Sequence, residues 1–274
     1  MKQNQRKTGK EQYYTPYLTA LHCTRTMLKH IPARRCVNWL EPAGGTGQFV
    51  SALLSCGFSP DIITSFDIEP YNSYVTKTDD FLKEALPGGR QYVTITNPPY
   101  GRANSLCVPF FNHCANVSTH IGFLVPKSWR KWSVQNKLHP NFHLIHDEDI
   151  KVDFIYCGGE KNSRGKLATV FQIWEYRDEL RPKITIEDRG YISKTSPELA
   201  DVSLTVFGRG CGKVKTKFDR VPNTTQMFLK TNEDWVLKAL QTVDFSQFYN
   251  NVAFIEALSF AEINHLLNEY KDKL

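Results

Sequence analysis

Short apolar runs alternate with stretches of helical spacing through the first two thirds of the chain, and this alternation most constrains the fold. Each run ends in glycine, proline or an acidic residue, as strands do where the chain turns. Strands separated by helix-length connections pair in parallel, since an antiparallel neighbour needs only a short turn. The sequence therefore predicts an α/β protein with a doubly wound, mostly parallel sheet.

The predicted elements change in character after Arg181-Pro182. Before that point, the predicted strands are Val37–Glu41, Ile62–Ile68, Tyr92–Thr96, Ile121–Val125, Phe142–Ile145, Val152–Tyr156 and Thr169–Trp174, and the predicted helices are Gln48–Cys56 and Ala103–Val117. After it, a β-prone run, Val202–Phe207, precedes helical spacing from Glu233 onward. We therefore expect a main domain over residues 1–182 and a small α+β region over residues 183–274.

Composition is that of an ordinary soluble globular protein, with 41% hydrophobic and 23% charged residues. A formal charge of +6 permits a polyanionic partner without requiring one. The seven cysteines lack metal-ligand spacing, which favours reduced, buried thiols and no bound metal. No apolar leader or bilayer-length run occurs, so an intracellular protein without a membrane partner is expected.

Asn97-Pro98-Pro99-Tyr100 directly follows the predicted strand Tyr92–Thr96. Each proline fixes its own φ and restricts the residue before it, so the tetrapeptide is held extended. The side-chain oxygen of Asn97 and the carbonyl of Pro98 can together accept both hydrogens of one –NH2 group. Tyr100 offers a face on which a planar base or amide can stack. The motif predicts that Asn97, Pro98 and Tyr100 present an amine to an electrophilic methyl group.

A glycine-rich turn, Glu41–Gly47 (EPAGGTG), follows the first predicted strand. Glycines let the backbone approach a ligand closely, and the next helix directs its N-terminus at the same place. Asp67, at the end of the next strand, can accept hydrogen bonds from both hydroxyls of a ribose. Asp80 can bind an adenine amino group, and Phe81 can stack on or flank the ring. These residues together favour a nucleoside-type cofactor.

These segments, in this order, resemble the gamma-type amino-methyltransferases of DNA, over roughly residues 9–176. Gly9–Pro16 (GKEQYYTP) is similar to the leading cofactor motif of that family, and EPAGGTGQF, FDIEP and DDFL are similar to the next three. The resemblance implies a seven-stranded methyltransferase sheet, S-adenosylmethionine as cofactor, and N6-methylation of adenine in double-stranded DNA. Such an enzyme must flip its target base out of the duplex.

The resemblance also implies which residues bind each ligand. The implied cofactor-binding residues are Tyr14, Thr15, Pro16, Glu41, Pro42, Ala43, Gly44, Gly45, Gly47, Asp67, Ile68, Asp80, Phe81 and Asn97. Tyr100 and Phe171 are implied to stack on the flipped base, although Phe171 alternates with apolar neighbours as a core residue does. A basic segment, Arg209–Arg220, follows the β-prone run Val202–Phe207. Its residues expected to contact phosphate are Arg209, Lys213, Lys215 and Lys217. Alternating lysines also occur on strand edges that simply face solvent.

The residues leave several alternatives open. The side-chain oxygen of Asn97 and the carbonyl of Pro98 form what we call the acceptor edge. This edge equally suits adenine in RNA, a glutamine side-chain amide in a protein, or the amino group of cytosine. A catalytically silent module that only binds the cofactor is a further possibility. The absence of a PD…ExK pattern favours modification without cleavage. The recognition sequence and the oligomeric state cannot be inferred from these residues.

Overall fold

A computed structural model describes residues 13–31, 38–69, 71, 73–155 and 167–274. The chain divides into two compact units, with the boundary between Pro182 and Lys183. We call the part before this boundary unit 1 and the part after it unit 2. Among the described residues, no helix combines the length and the apolar character needed to cross a bilayer.

Unit 1 is built from alternating helices and strands. In chain order these are α1 (Tyr17–His30), β1 (Asn38–Glu41), α2 (Gln48–Ser55), β2 (Ile63–Ser65), β3 (Tyr92–Thr96), α3 (Cys107–Cys114), β4 (Ser118–Pro126), α4 (Trp132–Gln135), β5 (Phe142–Ile150) and β6 (Thr169–Tyr176). The strands form one sheet in the order β2-β1-β3-β4-β6-β5. Its first four strands are parallel, whereas β6 runs antiparallel to both β4 and β5. The predicted α/β class with a mostly parallel, doubly wound sheet is confirmed.

The sheet has six strands in the described residues, not the seven that the resemblance implies. In the predicted strand Val152–Tyr156, the described residues form only an isolated antiparallel bridge, between Ile155 and Tyr14. Val152 and Phe154 are each 5% exposed. Their apolar alternation therefore reflects burial of side chains from a loop, not pairing within the sheet.

The predicted crossover helix is also shorter than expected. Ala103 and Asn104 adopt left-handed backbone angles, with φ of 53° and 66°, so the helix cannot begin at Ala103. Instead, α3 starts at Cys107 and brings Phe111 into the core. The ring of Phe111 lies 5.6 Å from that of Phe123 and 5.7 Å from that of Trp174, measured between centroids. This aromatic packing fixes the helix against the sheet.

Unit 2 has α+β architecture and a hydrophobic core of its own. Its elements are β7 (Ser193–Lys194), β8 (Val202–Thr205), β9 (Val214–Lys215), β10 (Gln226–Lys230), α5 (Asp234–Thr242), α6 (Ser246–Tyr249) and α7 (Phe260–Lys271). The strands form an antiparallel sheet in the order β7-β10-β8-β9. A capping box begins α7: Ser259 accepts a hydrogen bond from the amide of Glu262, whose carboxylate accepts one from the amide of Ser259.

Candidate functional site

The glycine turn and the Asn97–Tyr100 motif come together because of the strand order. Strand β1 pairs with β2 on one side and with β3 on the other. The chain therefore reverses its direction of winding at β1, and ligands of open α/β sheets bind at the carboxyl ends of the strands at such a point. The glycine turn follows β1, and Asn97–Tyr100 follows β3.

One cleft borders both motifs. It has a volume of about 260 Å³, counting the part open to solvent, and its walls include Tyr13, Thr15, Gly44, Gly45 and Asn97. Two segments that lie far apart in sequence thus share one cavity with the chain that precedes α1.

The glycine turn has a conformation that only glycine adopts readily. Gly45 and Gly47 have φ of 47° and 77°. A Cβ atom at Gly44 would lie 2.5 Å from Oγ of Ser65, so this position admits no side chain without a shift of its neighbour. The carboxylate of Asp67 accepts hydrogen bonds from the amides of Gly45 (2.6 Å) and Glu69 (2.8 Å). Asp67 therefore ties the turn to the end of β2, and its predicted role toward a ribose stays a prediction.

Glu41 ends β1 and is almost fully enclosed, with 1% of its surface exposed. Its carboxyl group accepts a hydrogen bond from the amide of Ala43, 3.1 Å away. Burial disfavours the charged form and raises the pKa of Glu41 to about 8. At neutral pH this carboxyl group is therefore mostly protonated, and it supports the turn as a neutral group.

The segment before α1 forms another wall of the cleft. Tyr14 pairs with Ile155 through two backbone hydrogen bonds of 2.9 and 3.0 Å. Thr15 is 5% exposed, and its hydroxyl group has no hydrogen-bond partner among the described residues. A buried hydroxyl without a partner costs about 1–3 kcal/mol, so a polar ligand suits this wall. Pro16 follows in extended conformation and directly precedes α1.

The side chain of Asn97 is fixed at both ends. Its Nδ2 donates to the carbonyl oxygen of Tyr13 at 2.7 Å, and its Oδ1 accepts from the hydroxyl of Tyr100 at 2.7 Å. Because a carbonyl oxygen can only accept, Nδ2 must face Tyr13 and Oδ1 must face Tyr100. An amide oxygen has two lone pairs, and Tyr100 uses one of them. Oδ1 thus retains capacity for a second donor.

Three aromatic rings meet beside this amide. Tyr100, which is 5% exposed, stacks on Tyr13 with a centroid distance of 5.8 Å and an interplanar angle of 24°. Phe154 packs edge-on against Tyr100 at 6.4 Å and against Tyr13 at 5.7 Å. Neither Tyr13 nor Phe154 is among the site residues predicted from the sequence. Tyr13 lies in the GKEQYYTP segment, so that motif could have indicated it. Phe154 belongs to no motif in the sequence.

Two predicted ligand-stacking residues are core residues in the structure. Phe171 on β6 has no exposed surface, and a Cβ atom at Gly122 would lie 2.9 Å from its Cζ atom. This burial agrees with the core position that its apolar alternation indicates, and its role against a flipped base stays a prediction. Phe81 is 1% exposed and packs against the rings of Phe66 and His113, at 5.3 and 4.8 Å. Phe81 therefore packs in the core, and its role beside an adenine ring stays a prediction.

Two further predicted cofactor residues, Asp80 and Ile68, are not among the described residues that line the cleft. Asp80 caps a short 3-10 turn by accepting from the amide of Leu82 at 3.2 Å, and it pairs with Lys83 at 3.0 Å. Ile68 is 54% exposed beside Asp67. Their roles toward a cofactor stay predictions. No group of three or more His, Cys, Asp or Glu side chains in the described ranges is arranged to hold a metal ion.

The basic segment of unit 2 is a separate surface feature. Arg209, Lys213 and Lys217 are exposed, and Lys215 on β9 is half-buried. None of the four forms an ion pair with any residue that the structure describes. The predicted phosphate-gripping residues are thus available to an external anion.

Arg220, at the end of the same segment, is differently placed. Its guanidinium group donates to the carbonyl oxygens of Pro197, Glu198 and Ala200, at 2.8, 2.6 and 3.2 Å. These bonds hold the turn before β8, so Arg220 has a structural role.

No protein-family model matches the chain, and no curated protein is similar to it in sequence. Solved structures resemble it at low identity. A Pyrococcus horikoshii protein, provisionally assigned as an RNA methyltransferase, has a TM-score of 0.48 and 15% identity, over 64% of this chain and 92% of its own. A provisionally assigned class I S-adenosylmethionine-dependent methyltransferase from Listeria monocytogenes has a TM-score of 0.45 and 16% identity, over 63% and 64%. TrmN from Thermus thermophilus has a TM-score of 0.40 and 14% identity, over 59% and 49%. Similarity at this level leaves the activity to be argued from the site. The fold and the site themselves define a doubly wound α/β protein with a cleft at its topological switch point.

Proposed function

We propose that this protein is an S-adenosylmethionine-dependent methyltransferase that acts on the exocyclic amine of adenine in DNA. The observation that carries the proposal is the fixed orientation of the Asn97 amide in the same cleft as the glycine turn. A site for a nucleoside-type cofactor and an acceptor edge for a planar amine then share one cavity.

The acceptor edge explains how the target amine becomes reactive. The lone pair of an aromatic amine is delocalised into its ring, which makes the nitrogen a poor nucleophile. The second lone pair of Asn97 Oδ1 and the carbonyl of Pro98 can each accept one hydrogen of the amine. Two such bonds favour sp3 geometry at nitrogen and point its lone pair out of the ring plane. No strong base is then needed before attack, and the edge is preorganised because Asn97 is already fixed.

The glycine turn and the chain before α1 are the parts that suit the cofactor. The buried hydroxyl of Thr15 fits a polar ligand, and the backbone of Gly44 and Gly45 lines the same cleft. Asp67 lies within hydrogen-bonding distance of that turn. When bound, S-adenosylmethionine supplies an electrophilic methyl group on its sulfonium.

Unit 2 supports nucleic acid as the polymer. Arg209 and Lys213 are exposed and unpaired within the described part of the chain, and the neighbouring Phe207 is 46% exposed. Cations that attract phosphate and an aromatic ring that can stack on a base suit a nucleic acid. The resemblance of EPAGGTGQF to the gamma-type DNA enzymes favours DNA, from which the target base must be flipped.

The decisive experiment offers tritiated S-adenosylmethionine to separate DNA, RNA and protein pools, followed by nucleoside mass spectrometry of each labelled pool. We expect label in DNA, as N6-methyladenine. Label confined to RNA would keep the chemistry and change the polymer, whereas label confined to protein would overturn the proposed substrate. Cofactor binding without transfer to any pool would indicate a silent binding module.

A further inference from the structure

Two segments of unit 2 lie side by side, one just after β8 and one just before α7. Phe207 pairs with Ala257 in an isolated antiparallel bridge. Two backbone hydrogen bonds of 2.9 Å hold this bridge, and one of them runs from the amide of Gly208 to the carbonyl oxygen of Glu256. The positions of both segments are therefore fixed by their main chains.

Three large apolar side chains on these segments are exposed to solvent. Phe207 is 46% exposed, Phe254 is 61% exposed and Ile255 is 50% exposed. We call these three residues the apolar ridge. A single exposed apolar side chain is common on a protein surface, whereas several on adjoining segments indicate a surface that another molecule covers.

Basic side chains directly adjoin the apolar ridge. Arg209 is two residues from Phe207, Lys213 follows on the same glycine-rich loop, and both are exposed. The basic segment that they begin contains five lysine or arginine residues and one acid, Asp219. Positive charge beside exposed aromatic rings favours a polyanion that also offers apolar surface, as the stacked bases of a nucleic acid do.

The main chain around Arg209 is open to a large ligand. Gly208 and Gly210, on either side of it, have φ of 81° and 85°, which glycine adopts readily. A Cβ atom at either glycine would meet no atom of the described residues within 4 Å, apart from the adjacent residues of the chain. A sugar-phosphate backbone can therefore approach this loop closely.

We propose that the apolar ridge inserts at a base step of duplex DNA while Arg209 and Lys213 contact the neighbouring phosphates. The inference rests on the proposed function, which makes DNA the polymer. Apolar side chains such as Phe and Ile that enter between base pairs partly unstack them and kink the duplex, and the additional contact offsets the lost stacking. A partly unstacked duplex also extrudes a target base at lower cost.

The bend of the duplex provides the test, because phosphate contacts alone do not require it. A duplex DNA with a donor dye at one end and an acceptor dye at the other should show increased energy transfer when the wild type saturates it. The double variant Phe254→Ala/Ile255→Ala should lose this increase, and its dissociation constant for the duplex should rise by about five- to fiftyfold. The slope of log K against log salt concentration should stay unchanged, since no phosphate contact is removed.

Two further variants make the result specific to the apolar ridge. Phe207→Ala, on the other segment, should also reduce the bend. Leu199→Ala removes an apolar side chain of unit 2 that is 63% exposed, and it should bind and bend the duplex like the wild type. Thermal unfolding of all variants should match that of the wild type, because the substituted side chains are exposed.

A double variant that binds and bends the duplex like the wild type would overturn the insertion, and the proposed function would stand if the wild type still methylates adenine in DNA. A wild type that binds DNA without bending it, or that binds only RNA, would also overturn the insertion. So would a dimer of the wild type that the double variant loses in light scattering while DNA binding is unchanged. A wild type that bends DNA but labels no pool would support the insertion and overturn the proposed methyl transfer.

Discussion

The two units of the molecule present their polar groups in opposite ways. In unit 1 the side chain of Asn97 in the cleft is held at both ends by hydrogen bonds to Tyr13 and Tyr100. In unit 2 the basic side chains of Arg209 and Lys213 are exposed and form no ion pair with a described residue. Fixed groups favour chemistry that depends on geometry, whereas exposed charges act over distance on a polyanion. Substitutions in unit 1 should therefore change catalysis or folding, and those in unit 2 should change salt-dependent binding.

The largest effect is expected at Asn97. Asn97→Ala removes the acceptor that we propose for the amine and should lower kcat by at least about a hundredfold, with cofactor affinity within a few-fold of the wild type. Single-turnover kinetics and cofactor titration would measure the two quantities, with the exposed Asn116→Ala as control. Near-normal turnover by Asn97→Ala would remove this residue from the reaction.

Glu41 tests the contribution of burial to unit 1. Its pKa is raised from 4.5 to about 8, so the folded state keeps a proton that the unfolded chain releases in this range. Stability of the wild type should fall as pH rises between these values, while Glu41→Gln, which mimics the protonated form, should not lose this stability. Between about pH 6 and pH 8, we expect the free energy of unfolding of Glu41→Gln to rise by on the order of 2 kcal/mol relative to that of the wild type. Urea unfolding of unit 1 at both pH values would measure the difference, and a difference independent of pH would contradict the burial argument.

Alanine substitutions at two glycines of unit 1 distinguish the effect of close packing from that of chain flexibility. Gly44→Ala would place a Cβ atom 2.5 Å from Oγ of Ser65 and should cost about 1–2 kcal/mol of stability while weakening cofactor binding. Gly88→Ala meets no atom within 4 Å and should change stability by less than about 0.5 kcal/mol. Thermal unfolding and cofactor titration of both variants would measure this contrast. Equal stability and equal cofactor affinity of the two variants would contradict it.

Substitutions of two arginines distinguish phosphate binding from structural support in unit 2. Arg209→Gln should weaken binding to duplex DNA, with stability nearly unchanged. The slope of log K for DNA binding against log salt concentration should decrease by the contribution of about one phosphate contact. Arg220→Gln should instead destabilise unit 2, since it removes the donor to three carbonyl oxygens. DNA titrations at several salt concentrations, together with unfolding curves, would distinguish them. An equal salt slope for Arg209→Gln and the wild type would exclude Arg209 from phosphate contact.

Local sequence patterns predict the frame of the site better than its lining. Tyr92–Thr96 forms a strand with the predicted bounds, and the motifs after β1 and β3 border one cleft. Those inferences depend on short segments and on the general behaviour of parallel sheets. The aromatic cluster depends instead on contacts between residues far apart in sequence, such as Tyr13 and Phe154. Local propensity carries no information about such contacts, although the apolar alternation around Phe171 does indicate the buried position that the structure gives it.

Under the proposed function, the acceptor edge that follows β3 would also limit which amines can react in the cleft. The Asn97 oxygen and the Pro98 carbonyl are two neutral acceptors, and neither carries a formal charge. A lysine ammonium has three N–H donors, a full positive charge and no lone pair, so this edge would leave it under-solvated and unable to attack. Under the proposed function, discrimination between nucleobases and basic side chains would follow from the absence of charge on these two acceptors.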